Sequence, residues 1–403
     1  MRILMVSSYL PYPLYSGGNI RLYNLLKFLS KNHKITLVCE KRPFQSEEDV
    51  REVEKICHKV ITVERKKQWS AKNIVMTGFS LNPFLITGHT NKTMTKIIAE
   101  EIAKEKYDLI HVETFYVMQN LPVTSIPVVL VEHNIEYLVY KRFADKAKFF
   151  VRPLLYADVL KLKKKEEYFW ERANKLIAVS NAEKDMMTRK DTEVVPNGVD
   201  LGKFEFQVSE SKFKDEEKRI LFIGDFRWIQ NQDCATFIIK DIWPKLIANK
   251  QISKMQMGNG KLKLWIVGKN MNRSIKGLTN DDNVIFDDEN QMETEEIYRR
   301  SFLLLAPIRV GGGTSYKILE AMASGTAVVT TNLGMTGLEI RNNKEVLSAE
   351  TPGKLAESVA DFLTDKNLYG RIAKSAREFV EENYDWNKIS KDLEKVYASI
   401  LKE

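Results

Sequence analysis

The stretch of this chain that most invites chemistry reads Ala306-Pro307-Ile308-Arg309-Val310-Gly311-Gly312-Gly313-Thr314-Ser315-Tyr316-Lys317-Ile318-Leu319-Glu320. An apolar run ends at Ala306, three glycines follow, and a helical pattern starts near Thr314. Glycines let backbone N–H groups approach an anion closely, and a helix N-terminus adds free donors and a favourable dipole. Such a layout suits a diphosphate. Lys317 and Glu320 are three apart, so they share one helix face near that terminus. A cation there can meet phosphate oxygens, and a carboxylate can accept from ribose hydroxyls. The plain alternative is a flexible loop capped by an ordinary surface helix. The strand, Lys317, Glu320 and the small-residue run 321–325 all falling in register weigh against it. No Gly-Lys-Ser/Thr follows, so this is not a Walker loop, and it is not a GxGxxG fingerprint.

Other residues could serve the same chemistry. Ser16-Gly17-Gly18 follows the first apolar run and reads either as a glycine loop beside a ligand or as a turn in which Ser16 caps a helix from Gly17. Glu132-His133-Asn134 ends the apolar run 128–131. A lone histidine at such a place is by itself more often structural than functional. Arg227, in Gly224-Asp225-Phe226-Arg227, is the cation nearest a second strand-to-helix turn, with a plain surface turn as the alternative. The acid pairs Asp281-Asp282 and Asp287-Asp288 lack the Asp-x-Asp spacing that holds a divalent ion, and no required metal is expected. His33, His58, His89 and His111 show no ligand spacing and read as structural. No Ser-His-Asp or Cys-His arrangement is legible.

Elements must position these groups, and their pattern is regular. Short β-branched runs at 3–7, 35–39, 60–63, 109–112, 128–131 and 176–179 alternate with amphipathic stretches, and the pattern resumes at 220–224, 264–267, 284–286, 303–306 and 327–330. Continuous apolar strands with helices between them predict parallel sheets covered on both faces. Arg2-Ile3-Leu4-Met5-Val6 is echoed by Arg219-Ile220-Leu221-Phe222-Ile223, each leading into a polar, glycine-containing turn. Two doubly wound domains are therefore expected: 1–200, a polar linker at 201–218, and 219–385, with a final helix over 386–403.

The 403 residues carry 62 Lys and Arg against 54 Asp and Glu, a net charge of +8. Residues 1–200 hold 32 basic and 24 acidic side chains and the remainder 30 of each, so the whole excess lies in the first half. With 44% hydrophobic residues the chain is neither disordered nor collagenous. Three separated cysteines, Cys39, Cys57 and Cys234, make no disulfide framework and fit a reducing cytoplasm. No apolar run reaches the ~18 residues that span a bilayer. Segment 141–175 carries 11 basic and 5 acidic residues interleaved with Phe143, Phe149, Phe150, Leu154, Leu155, Tyr156, Phe169 and Trp170. It reads either as a face for an anionic membrane or as a helix docked on its own domain.

The 306–325 stretch resembles the donor-binding signature of retaining GT-B glycosyltransferases, in particular glycosyltransferase family 4. Glu320-Ala321-Met322-Ala323-Ser324-Gly325 matches the second half of that signature. Gly312 stands where many members carry a first glutamate, so the chain is similar to the Gly-Gly-Gly-Thr subgroup. Ser16-Gly17-Gly18 looks like the family's N-terminal glycine loop, and Pro196-Asn197-Gly198-Val199-Asp200 like its interdomain segment. The resemblance implies an α/β GT-B fold, two Rossmann-like domains facing across a cleft, the first taking the acceptor and the second the donor. It implies that the last helix crosses back to the first domain. It further implies a nucleotide diphosphate sugar donor (a UDP- or GDP-sugar), a saccharide or lipid-linked acceptor, no cofactor and no nucleic-acid partner. Implied site residues are His133 facing the sugar, Arg227 and Lys317 on the diphosphate, and Glu320 on the ribose. Gly17, Gly18, Gly311, Gly312, Gly313 and Thr314 line the donor. The expected protein is a cytoplasmic transferase, peripheral on the inner membrane face if segment 141–175 is a membrane-binding face rather than a helix docked on its own domain. A GT-B epimerase or phosphorylase, or a non-catalytic sugar-nucleotide-binding or membrane scaffold protein, are the alternatives.

Overall fold

The computed structural model describes residues 1–207, 211–214, 216–257, 261–311 and 313–401. Part of the expected linker at 201–218, Gly312 and the last two residues of the expected final helix over 386–403 lie outside them. The chain divides into two compact units. Unit 1 holds Met1–Asn197 with Asn387–Glu403, and unit 2 holds Gly198–Trp386.

Unit 1 is built on seven strands: β1 (Arg2–Ser7), β2 (Lys34–Lys41), β3 (Lys59–Glu64), β4 (Leu109–Glu113), β5 (Val128–Glu132), β6 (Lys175–Ala178) and β7 (Glu193–Val194). Their order is β3-β2-β1-β4-β5-β6-β7, and every pair is parallel. Unit 2 holds β8 (Glu217–Ile223), β9 (Lys261–Val267), β10 (Val284–Asp287), β11 (Leu303–Ala306), β12 (Ala327–Thr330) and β13 (Leu347–Ser348). Their order, β10-β9-β8-β11-β12-β13, repeats the same winding in a second all-parallel sheet.

The alternation of side chains explains why these runs are apolar throughout. In unit 2, Ile220, Phe222, Leu264, Ile266, Leu303, Leu305 and Val329 face one cluster. Their neighbours Leu221, Trp265, Val267, Leu304, Ala306 and Val328 face another. Both sheet faces are thus buried. The final helix, Trp386–Ile400, belongs to unit 1 from Asn387 on, and there Glu394 meets His33 at 2.9 Å. In each sheet the winding reverses beside the first strand, between β1 and β4 and between β8 and β11. Ligands of doubly wound sheets sit at such switch points, beyond the carboxyl ends of the strands.

Candidate functional site

The unit 2 switch point carries the glycine loop. After β11 the chain turns through Gly311 (φ 121°) and Gly313 (φ 78°), conformations that a side chain would strain. The helix Tyr316–Ala323 starts with Ser315 as N-cap, two residues later than the sequence pattern places it. Gly337 backs the loop in a left-handed conformation (φ 78°), the position of its absent Cβ 3.6 Å from the Thr314 nitrogen.

Lys317 points inward from the first turn of that helix. Its Nζ donates to Asn231 Oδ1 at 2.8 Å and lies 4.5 Å from the centre of the Phe222 ring. Burial pulls its pKa down to about 8, against the opposing pull of Cys234 and Glu320. Glu320, one turn on, accepts from Tyr298 Oη at 3.1 Å. Burial pushes its pKa up to about 7, with Tyr298, Lys203 and Lys317 pulling the other way. A desolvated ammonium and a desolvated carboxylate on one helix face are poised to gain from a ligand that supplies the missing charge and hydrogen bonds.

Arg227 occupies the turn after β8. Its guanidinium is forked onto Asp225, with Nε 2.9 Å from Oδ2, and its side chain is about half exposed. Asp225 also accepts from Asn270 Nδ2 at 3.0 Å, and its backbone carbonyl accepts from Asn231 Nδ2 at 2.9 Å. Asn231 therefore joins the Arg227 turn to Lys317. Gln230 Cβ lies 3.9 Å from the Cβ that Gly311 would have carried. Gly312 lies outside the described residues. Sequence reasoning passed over Asn231, Tyr298 and Gly337; Asn231 lies four residues beyond Arg227, and nothing local marks its partner 86 residues away.

The unit 1 switch point gathers a second set. Ser16 caps the helix Gly17–Leu29 by accepting from the Asn19 N–H. Gly18 lies against Tyr9, whose Oη donates to the Gly18 carbonyl at 3.3 Å. A Cβ on Gly18 would fall 3.0 Å from Tyr9 Oη and 3.6 Å from His133 Nδ1. His133 Nε2 lies 2.5 Å from Glu113 Oε1, and His111 Nε2 lies 2.7 Å from Glu113 Oε2. Arg21 adds its Nε at 3.3 Å from Oε1. Burial alone would raise the Glu113 pKa, but His133, His111 and Arg21 together hold it well below the usual carboxylate range. The ionised carboxylate therefore fixes the proton of each histidine on Nε2. The other ring nitrogen of His133, Nδ1, faces Gly18. His111 Nδ1 accepts from Tyr397 Oη at 2.7 Å, the Tyr397 hydroxyl being held protonated by burial and by Glu113. Arg21 Nη1 donates to the Pro196 carbonyl at 2.8 Å and to Asn197 Oδ1 at 3.2 Å, which ties down the end of unit 1. Glu132 turns away from this group and accepts from Trp170 Nε1 at 3.0 Å. His111, set aside in the sequence, is thus a partner of Glu113.

Among the described residues no group of three or more His, Cys, Asp or Glu side chains is placed to hold a metal ion. Asp281 and Asp287 accept from the indoles of Trp243 and Trp265, and Asp288 pairs with Lys276 at 2.7 Å. No helix of the described residues is long and apolar enough to cross a membrane. The 141–175 segment spans two helices, Glu136–Lys146 and Arg152–Arg172. Phe169 and Trp170 are in the core, whereas Phe143, Phe149, Phe150 and Leu154 are 64–81% exposed.

Comparison with known proteins agrees with the two-sheet fold. Residues 15–203 match the glycosyltransferase family 4 model, and residues 217–365 match the glycosyl transferases group 1 model. A 44.6 kDa protein of the cps region of Klebsiella pneumoniae is 24% identical over 413 aligned residues, covering 100% of this chain and 99% of that protein. Sucrose-phosphate synthase of Thermosynechococcus elongatus superposes with a TM-score of 0.70 at 16% identity, covering 100% of both chains. Anabaena HepE, solved in complex with UDP and glucose, superposes with a TM-score of 0.63 at 14% identity, covering 99% of this chain and 100% of HepE. Two Rossmann-like sheets with these matches make the chain a glycosyltransferase of the GT-B fold, a glycosyltransferase family 4 domain followed by a glycosyl transferases group 1 domain.

Proposed function

We propose that the protein transfers a glycosyl unit from a nucleotide diphosphate sugar, a UDP- or GDP-sugar, to a hydroxyl of a saccharide or lipid-linked acceptor, with retention of configuration and without a metal. The observation that carries this reading is the pair Lys317 and Glu320, desolvated on the first turns of a helix behind a glycine loop at a switch point. In this reading, backbone N–H groups of Gly311, Gly313 and Thr314, with Lys317 and Arg227, stabilise charge growing on the leaving diphosphate. Arg227 must exchange Asp225 for phosphate to do so. Glu320 accepts from the ribose hydroxyls. His133 orients the sugar, Gly17 and Gly18 keep its surroundings open, and Glu113 positions His133. The acceptor proton passes to the leaving phosphate on the same face, so no covalent protein intermediate is required.

HepE binding UDP and glucose supports UDP as the first nucleotide to try. The exposed Phe143, Phe149, Phe150 and Leu154 on a basic segment support peripheral attachment to an anionic cytoplasmic membrane face. A screen of UDP-, GDP-, ADP- and CMP-sugars, scored by nucleotide release and thermal shift, tests the donor assignment. Glu320→Ala and Lys317→Ala should each abolish the response to the sugar that works. Retained turnover at limiting donor in both variants would place the donor elsewhere. Anomeric configuration of the product, read by NMR, tests retention.

A further inference from the structure

One basic cluster on unit 1 has no part in the chemistry above. β2 ends at Lys41 and β3 at Glu64, directly opposite each other in parallel register. The Arg65 N–H donates to the Lys41 carbonyl at 2.9 Å. Arg42 and Arg65 therefore leave the sheet side by side at its carboxyl edge, the edge that also carries Glu113 and His133. Two guanidiniums emerging from adjacent strands repel each other unless an anion is shared between them.

The counter-charge inside the protein is already committed. Glu40 and His89 are each 1% exposed. His89 Nδ1 lies 2.8 Å from the Glu40 carboxylate, and His89 Nε2 lies 3.3 Å from Arg65 Nη2. A guanidinium only donates, so Nε2 accepts, Nδ1 carries the proton, and His89 is neutral. Its ring is stacked on Tyr116 at 5.3 Å and 25°. Arg65 Nε stays 3.9 Å from Glu40. Burial and the neighbouring Arg42 both lower the Arg65 pKa. Arg42 is anchored at its backbone, its N–H donating to Gln45 Oε1 at 2.9 Å, while its side-chain Nε is buried and has no hydrogen-bond partner among the described residues. Tyr15 and Tyr116 act electrostatically on Arg65, Arg65 acts on the Tyr140 hydroxyl, and Phe44 lies under Arg42. Forked cations with an oriented, buried support and aromatic rings beside them suit a saccharide that bears an anionic group.

We infer that Arg42 and Arg65 form an anion-reading acceptor subsite that takes a phosphate or a carboxylate carried by the acceptor saccharide. The inference rests on unit 1 being the acceptor domain, and it names a substrate class for that domain. It assigns part of the basic excess of residues 1–200 to recognition of the acceptor.

The test uses the full chain saturated with UDP, so that the diphosphate site is occupied. Glucose 1-phosphate, glucuronate and glucose are titrated calorimetrically into wild type, Arg42→Gln and the double variant Arg42→Gln/Arg65→Gln. Wild type should bind at least one of the two anionic sugars about tenfold or more tightly than glucose, the worth of a charge-assisted hydrogen bond or two. Which of the two wins distinguishes phosphate from carboxylate. The double variant should lose that discrimination while its affinity for UDP is unchanged. Arg42→Gln leaves Glu40, His89 and Arg65 in place, so it answers the question if the double variant fails to fold; it should weaken the anionic sugar about threefold or more. No discrimination in wild type, or discrimination retained in both variants, overturns the inference. Failure of UDP to bind, with the arginine-dependent discrimination intact, defeats the donor reading and leaves the subsite standing.

Discussion

Lys317→Met separates a half-buried functional cation from an ordinary surface lysine. In the folded protein the ammonium titrates at about 8, below its ordinary 10.5, because burial outweighs its partners. A folded pKa below the unfolded one costs stability, fully below pH 8 and progressively less as pH rises toward 10.5. At 1.36 kcal/mol per unit the cost is on the order of 3 kcal/mol at neutral pH. By pH 9.5 about one unit remains, roughly 1.4 kcal/mol. Methionine removes the charge and keeps the bulk over Phe222, but it leaves Asn231 Oδ1 without its donor at about 1–2 kcal/mol. That second loss varies little with pH. Relative to wild type, the variant should therefore be about 2 kcal/mol better off at pH 7.0 than at pH 9.5, a difference read by equilibrium urea unfolding at the two values. The same change should weaken UDP binding about tenfold or more, since a charged hydrogen bond to phosphate is lost. A stability difference that is the same at both pH values would refute the desolvated ammonium. Unchanged UDP affinity would refute its role.

Four further outcomes follow from the same geometry. UDP affinity should peak between about pH 7 and pH 8, because Glu320 is ionised above about 7 and Lys317 protonated below about 8; Glu320→Gln should remove the acid limb of that profile, and an unaltered limb would mean that another group titrates there. Glu113→Gln should cost about 3–5 kcal/mol by stranding Arg21 and releasing two histidines. Because the Glu113 pKa is depressed, the stabilisation it supplies is fully present above its unfolded value near 4.5 and fades as pH falls through the folded one, so the wild-type advantage should shrink in acid. Gly313→Ala, forced to φ 78°, should cost about 1–2 kcal/mol and abolish UDP binding, whereas tight binding by the variant would argue against backbone contacts there. Phe149→Ser/Phe150→Ser should reduce sedimentation with phosphatidylserine vesicles at low salt without altering urea stability; equal sedimentation would assign those exposed rings another role.

Much of this protein is legible from local pattern. The eleven expected strands all appear because each is a continuous apolar run, and a sheet buried on both faces demands that on every residue. The echo between 2–6 and 219–223 marks two sheets wound alike. The glycine loop follows from the glycine run after an apolar strand, and the placing of Lys317 and Glu320 on one helix face from their three-residue spacing. β7 and β13 escaped because two residues carry no period.

Only the tertiary structure decided what each side chain meets. His133 reads as a lone histidine until the parallel pairing of β4 with β5 brings it to Glu113. Tyr397 reaches His111 across 286 residues because the last helix packs back on unit 1. Lys317 and Asn231 are joined through the β8–β11 neighbourhood, not through sequence. The pKa values near 8 and 7 come from burial, a property of the assembled neighbourhood that no spacing encodes. Arg227, expected on the diphosphate, is held by Asp225 two residues away, a local pairing whose geometry needed the folded turn. Periodicity is written in nearest neighbours along the chain, and partners are chosen by crossover connections that bring distant strand ends to one edge.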